Sequence, residues 1–296
     1  MLRGHTSLLL FRVFIAYSQC DLWEFLGKYL RVGILQFGSS TDKIRNLERI
    51  FSIVKKVEAD VVVLPEYSMF AIENLSPPEV HERSEDLDSF YLSEFRRFAR
   101  ENSVYVLTTI FERASHPKVF NTAVLISPHE EIVAIYRKIH LFNAYGVRES
   151  DYMVAGDSPS KVTDLAGVRA AIAICFDLRF PELFRHYALQ GAEVVFVPSA
   201  WYSGSLKEET LEFLSRSRAS ENTYYLVVAN QFGQKFAGRS MVVDPLGVVL
   251  LDLGIGEKYV EFEIDLNYVY EARRTLPLLS LRREDIYTLK FTSRNT

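Results

Sequence analysis

Cysteine is scarce in this chain: 296 residues contain only Cys20 and Cys175. That is too few for a disulfide framework, so a reducing cytoplasm is the expected location. Histidines are scattered as His5, His81, His116, His129, His140 and His186 without a paired Cys/His spacing, so no metal and no organic cofactor is expected. Positive charge is not concentrated either. The net charge is −4 with both signs interspersed, which argues against a nucleic-acid partner. The apolar stretch near the start, Ser7 to Tyr17, is interrupted by Arg12 and has no small-x-small cleavage signal before Cys20. It falls well short of the roughly 20 residues that span a membrane, so no membrane partner is expected. Residues 1–29 therefore read as an N-terminal extension of unknown role, a packed extra helix or sequence upstream of the true start. Linkers, charge blocks and repeats are missing as well, so residues 30–287 read as one domain and residues 288–296 as a short tail.

Aromatic residues are plentiful, with 21 Phe and 16 Tyr to fill a core. From Leu30 onward, short branched runs alternate with helical periodicity, the pattern of a layered α/β fold. Strands are expected at 30–37, 60–66, 104–111, 119–127, 168–175, 193–198, 223–231, 239–244 and 258–264. Helices are expected at 43–58, 91–102, 181–191 and 207–222. In the second helix Leu92, Phe95, Phe98 and Ala99 recur at helical spacing and should face a sheet.

The run Val168-Arg-Ala-Ala-Ile-Ala-Ile-Cys175 is followed at once by Phe-Asp-Leu-Arg-Phe-Pro-Glu182. Gly167 and Pro181 bracket a buried strand, and Pro181 suits the first turn of a helix, where its missing N–H costs nothing. Strand, tight turn and helix put Cys175 at the carboxyl edge of a sheet, where open α/β folds bind ligands. Position alone fits a buried structural cysteine equally well.

Two other segments add chemistry. Ala59-Asp-Val-Val-Val-Leu-Pro-Glu66 ends a second apolar strand in a carboxylate, and Tyr136-Arg-Lys-Ile-His-Leu-Phe142 places Lys138 just after the strand-like Glu131 to Ile135. A base, a cation and a thiol meet the needs of acyl transfer through a thioester. A free thiol is only about a few per cent ionised at neutral pH, so it needs a base or a nearby positive charge. Glu66 is the candidate general acid/base. Lys138, helped by the backbone N–H of Phe176, is the candidate oxyanion donor, a role whose loss typically costs about 3–4 kcal/mol. Tyr67, Tyr145 and Trp201 lie on loops next to these segments and are candidates for binding substrate.

Leu64-Pro-Glu66, Tyr136-Arg-Lys138-Ile-His-Leu-Phe142 and Ile174-Cys175-Phe-Asp-Leu-Arg-Phe-Pro-Glu-Leu183 together resemble the nitrilase superfamily of carbon–nitrogen hydrolases. Phe120-Asn-Thr-Ala123, Gln190-Gly-Ala192, Pro198-Ser-Ala200, Arg216-Ser-Arg218-Ala-Ser-Glu221-Asn222 and Asp244-Pro-Leu-Gly247 fit the same pattern. The resemblance implies a four-layer α-β-β-α sandwich. It also implies a homodimer or higher homo-oligomer paired through an α face and a C-terminal segment around Tyr268 to Tyr287. It makes Glu149, in Arg148-Glu149-Ser-Asp, the carboxylate that holds Lys138.

The general look is that of the omega-amidase branch, which acts on small dicarboxylate monoamides; Arg179 or Arg218 would then bind the free carboxylate. That branch carries a His-Trp pair where this chain has Thr210-Leu211. The implied activity is hydrolysis of a small-molecule amide to acid and ammonia. The same three residues would also serve an N-carbamoyl compound or a nitrile, and a non-catalytic scaffold with an idle thiol is the alternative of another class.

Overall fold

The computed structural model describes residues 28–233 and 235–292. The expectations for Ser7 to Tyr17, for Cys20 and for the last four residues of the tail lie outside the described residues.

Two six-stranded sheets form the centre. The first contains β1 (Tyr29–Gln36), β2 (Val61–Val63), β3 (Tyr105–Arg113), β4 (Val119–Ile126) and β5 (Ile132–Arg137), and its outer strand beside β1 is β14 (Lys258–Asp265). A hairpin, β6 (Asn143–Ala144) and β7 (Val147–Arg148), stands apart from both sheets. The second sheet runs in the order β13-β12-β11-β10-β9-β8, with β8 Thr163–Leu165, β9 Val168–Ile172, β10 Val194–Ser199, β11 Tyr225–Asn230, β12 Met241–Val243 and β13 Val249–Asp252. The helices are α1 (Lys43–Ile53), α2 (Pro77–Arg83), α3 (Phe90–Asn102), α4 (Pro181–Leu189), α5 (Lys207–Asn222) and α6 (Asn267–Thr275).

Strand alternation explains the layers, because successive side chains point to opposite faces. Val61, Val63, Leu107, Ala123 and Leu125 join a core shared with the second sheet and with α4 and α5. Their neighbours Val62, Val106, Val124 and Ile126 pack instead against Leu47 and Ile50 of α1 and Tyr91, Leu92, Phe95 and Ala99 of α3. Each fully buried Val, Leu, Ile or Phe among them contributes roughly 1.5–3 kcal/mol. The result is helix, sheet, sheet, helix, the four-layer α-β-β-α sandwich. Strands β10 and β11 are buried along their whole length, as expected of strands covered on both faces.

Some boundaries differ from those read in the sequence. The first helix ends at Ile53, not at residue 58. The strand expected to reach Glu66 stops at Val63, and the one expected to reach Cys175 stops at Ile172. Both chemistry-bearing residues therefore sit in the turns beyond the strands. α2, opened by the reciprocal Ser76 and Glu79 capping bonds, was not expected, nor were β8, β13 and α6. Within Tyr268 to Tyr287, α6 docks on its own subunit through Val269 and Ala272, and Arg273 donates to the carbonyl of Ala192 at 2.6 Å. No helix among the described residues is long and apolar enough to cross a membrane.

Candidate active site

β2, β5, β9 and β10 deliver their carboxyl ends to one cleft. β3 is parallel to β2 and antiparallel to β4, which is antiparallel to β5, so β5 runs with β2. In the other sheet β9 is parallel to β10. The turns beyond these four ends carry Glu66, Lys138, Cys175 and Ala200, and all four line a cleft enclosing about 620 Å³ including its open mouth.

Cys175 opens a short 3-10 helix, Cys175–Arg179, with φ of +45°. A left-handed residue other than glycine costs about 1–2 kcal/mol, so the surroundings must impose it. Asp177 does so: its carboxylate accepts the N–H of Ile174 at 2.8 Å and the hydroxyl of Tyr136 at 2.7 Å, and it meets the His140 ring nitrogen at 2.7 Å. The N–H of Phe176 lies in the first turn, where helices leave amide donors free.

Lys138 and Glu66 are each 1 % exposed and Glu149 is 3 % exposed. The Lys138 ammonium donates to Glu66 Oε1 and to Glu149 Oε1, both at 2.9 Å. Glu66 Oε1 also accepts from Asn121 Nδ2 at 2.7 Å, and its Oε2 accepts from the N–H of Ala200 at 2.8 Å. Glu149 is held in turn by the Tyr67 hydroxyl at 2.5 Å and the N–H of Phe142 at 2.6 Å.

Burial pushes the Glu66 carboxyl above its usual range, and the charge of Glu149 adds to that against the pull of Lys138. Burial pushes the Cys175 thiol well above its ordinary value too, and the Glu66 charge adds to it, while Lys138 and the Ala200 N–H pull the other way. Burial would lower Lys138, but the two carboxylates outweigh it and hold the ammonium charged. The resting thiol is therefore neutral, and it faces the Glu66 carboxyl with a fixed cation beside both. Such a site can transfer a proton only when the thiol attacks something.

The placement of Lys138 depends on a glycine. The N–H of Gly156 donates to the Lys138 carbonyl at 2.9 Å. A Cβ on Gly156 would stand 2.2 Å from the Arg137 carbonyl oxygen, so the approach is open only to glycine.

The residues expected around the substrate divide. Tyr67, Arg179 and Trp201 line the cleft, and Phe142, Tyr202 and Lys207 join them. Tyr145 does not. It is 73 % exposed and absent from the cleft wall, because it and Gly146 occupy the two positive-φ positions of the β6–β7 turn, which carries its side chain outward over the rim. Of the two arginines considered for a carboxylate, Arg218 is spent on structure, donating to the Leu178 carbonyl and pairing with Glu221 at 2.9 Å. Arg179 lies over the Trp201 ring at 4.9 Å and over Phe176 at 5.9 Å, with no ion-pair partner among the described residues. Asn121 is the residue that sequence reasoning left in the scaffold although it touches Glu66 directly; its sequence signal was its place in the Phe120-Asn-Thr-Ala123 motif. Among the described residues no group of three His, Cys, Asp or Glu side chains could hold a metal ion.

Residues 18–274 match the carbon-nitrogen hydrolase family model. The chain belongs to that family. It is a member of the nitrilase superfamily and an amidase-type hydrolase of carbon–nitrogen bonds. It is 30 % identical over 251 residues to the deaminated glutathione amidase of Escherichia coli O157:H7, covering 84 % of this chain and 95 % of that protein. The Caenorhabditis elegans NitFhit protein superposes with a TM-score of 0.82 at 29 % identity, covering 91 % of this chain and 69 % of that one. A glutamate-to-glutamine mutant of the amidase from Nesterenkonia sp. AN1 superposes with a TM-score of 0.75 at 26 % identity over 88 % of this chain and 96 % of that one. That structure shows covalent addition of the acetamide moiety of fluoroacetamide at its active-site cysteine.

Proposed function

We propose that this hydrolase cleaves a small carboxylate-bearing amide through a thioester on Cys175. The observation that carries the reading is the meeting of a neutral thiol, a buried carboxylate and a charged ammonium at the closed end of one cleft. Glu66 takes the thiol proton as sulfur attacks the carbonyl carbon. The oxyanion forms against Lys138 and the N–H of Phe176. Glu66 then returns the proton to the departing nitrogen, the C–N bond breaks, and ammonia or an amine leaves. Water enters, gives a proton to Glu66 and attacks the thioester, and the acid departs as the thiol is restored.

Glu149, held by Tyr67, fixes the ammonium, and Asn121 fixes the base; both are positioning residues. Arg179 supports an acyl group with a free carboxylate, since it offers a guanidinium without an ion-pair partner four residues beyond Cys175 on the same short helix. Trp201 and Tyr202 form the apolar wall. The relatives named deaminated glutathione amidase support an amide as the substrate. A homodimer belongs to the same reading, supported by Phe213 at 66 % exposure on α5, which lines one surface hollow with exposed Leu246.

The test is release of ammonia or amine from dicarboxylate monoamides, carbamoyl amino acids and aliphatic nitriles, by the protein and by Cys175→Ala. Turnover of the monoamides alone, abolished in the variant, is expected. Unchanged turnover by Cys175→Ala, or turnover confined to nitriles or carbamoyl compounds, would overturn it.

A further inference from the structure

Two of the segments that carry the chemistry meet on a carboxylate that is absent from the cleft wall. Asp177 is 0 % exposed and belongs to the short helix that Cys175 opens. Its Oδ2 accepts the N–H of Ile174 at 2.8 Å and the Tyr136 hydroxyl at 2.7 Å. Its Oδ1 accepts the backbone N–H of His140 at 3.3 Å and meets the His140 ring Nδ1 at 2.7 Å. A carboxylate only accepts, so that ring nitrogen carries its hydrogen toward Asp177. Among the described residues no lysine or arginine pairs with Asp177; His140 is the basic side chain within reach of it.

These donors come from different sheets. Tyr136, in β5 of the first sheet, and His140 stand on either side of Lys138. Ile174 follows β9 of the second sheet and directly precedes Cys175. One carboxylate therefore fixes the turn of the nucleophile and grips the lysine segment from both sides. The backbone of Lys138 is held as well, its N–H by the Asn121 carbonyl and its carbonyl by the N–H of Gly156, both at 2.9 Å. His140 makes a further contact with the nucleophile's helix. Its ring lies flat on Phe180, the capping residue, with centroids 3.6 Å and planes 5° apart. Oδ2 has two short donors, whereas without the His140 ring Oδ1 keeps only the 3.3 Å contact.

We propose that His140 is a positioning residue of the reaction, which through Asp177 sets the Cys175 thiol and the Lys138 ammonium relative to each other without lining the cleft. This rests on the amidase reading above and adds a residue to it. Loss of the ring donor frees one end of the carboxylate, and the nucleophile turn and the lysine segment then shift against each other. A misplacement of about 1 Å at reacting groups can cost about 100-fold in rate. The loss falls on kcat, because attack and oxyanion stabilisation need both groups in register.

The experiment measures steady-state turnover of the best monoamide by the wild type, His140→Phe, His140→Asn, Tyr136→Phe and the double variant His140→Phe/Tyr136→Phe, each beside a urea melt. His140→Phe keeps a flat ring against Phe180 and removes the donor; it should lower kcat at least tenfold and change KM less than about threefold. His140→Asn, whose amide nitrogen takes the place of Nδ1, should recover most of kcat. The double variant should lose less than the product of the two single losses, since both act through one carboxylate. If His140→Phe fails to fold, the smaller His140→Leu takes its place with the same expectation. An unchanged kcat in the folded variant overturns the inference, as does a His140→Asn no better than His140→Phe, or losses that simply multiply. A wild type that cleaves no amide overturns the amidase reading, and the inference with it.

Discussion

Replacing Lys138 by methionine keeps most of the side-chain volume and removes the charge between two buried carboxylates. Since Glu66 Oε1 and Glu149 Oε1 each lie 2.9 Å from the same nitrogen, they are no more than about 6 Å apart. Two unit charges at that separation repel by about 3 kcal/mol at an effective dielectric constant of about 20. Leaving a buried charge without its partner typically costs about 3–5 kcal/mol. Lys138→Met should therefore lose about 3–5 kcal/mol of unfolding free energy at neutral pH, measured by urea denaturation.

The pH dependence gives the sign. Glu66 already sits above its ordinary value in the folded protein, and removing the ammonium raises it further. A folded-state value above the unfolded one contributes stability that is full below the ordinary carboxylate range and is lost as pH rises through the folded-state value. The deficit of Lys138→Met should thus shrink on acidification relative to the wild type. Adding Glu149→Gln removes one of the two charges, so the double variant should regain part of the stability and none of the activity. The reasoning is refuted if Lys138→Met unfolds at the wild-type urea concentration, or if the double variant is no more stable than the single one.

Gly156→Ala should lower kcat by at least tenfold, because the new Cβ meets the Arg137 carbonyl at 2.2 Å and moves Lys138; steady-state assays beside a circular dichroism melt separate this from unfolding. The acid limb of kcat/KM should lie above the ordinary carboxylate range, since the raised Glu66 loses its role as base when it is protonated as pH falls. Alkylation of Cys175 by iodoacetamide, followed by peptide mass, should accelerate as pH rises through the alkaline range, because burial holds the thiol neutral at rest. Arg179→Met should raise KM for monoamides with a free carboxylate by about tenfold or more, while an uncharged amide of the same length is affected less, the size expected for one charge-assisted hydrogen bond.

The sequence carried the three central residues because each lies just past an apolar strand run, and strand periodicity is a local signal. The helix Lys207–Asn222 was legible to the residue for the same reason. Non-local geometry was not. Asn121 sits in the middle of β4, and only the packing of β4 beside the turn after β2 brings it to Glu66. That Tyr145 stands at the rim and not in the cleft wall was not legible either, because the direction of its side chain is set by the positive φ angles of a two-residue turn, not by its neighbourhood in sequence.

The strands thought to end at Glu66 and Cys175 end earlier, at Val63 and Ile172. At Cys175 the side chain of Asp177 ties the amide of Ile174 into a tight turn, a bond that hydrophobic patterning does not encode. α2 did leave a local trace in Ser76 followed by Glu79, a capping box without a long apolar run behind it. The sequence offered Arg179 and Arg218 alike as carboxylate binders; only the packing separates them, placing Arg179 over Trp201 in the cleft and tying Arg218 to the Leu178 carbonyl and Glu221.

The most direct test of the central claim is to add hydroxylamine during turnover of a monoamide and to measure acyl hydroxamate, free acid and released ammonia together, with Cys175→Ala as control. A thioester on Cys175 predicts that hydroxamate appears at the expense of acid while ammonia release continues, and that the variant makes neither product. Acid alone as the product, with turnover persisting in Cys175→Ala, would contradict the account.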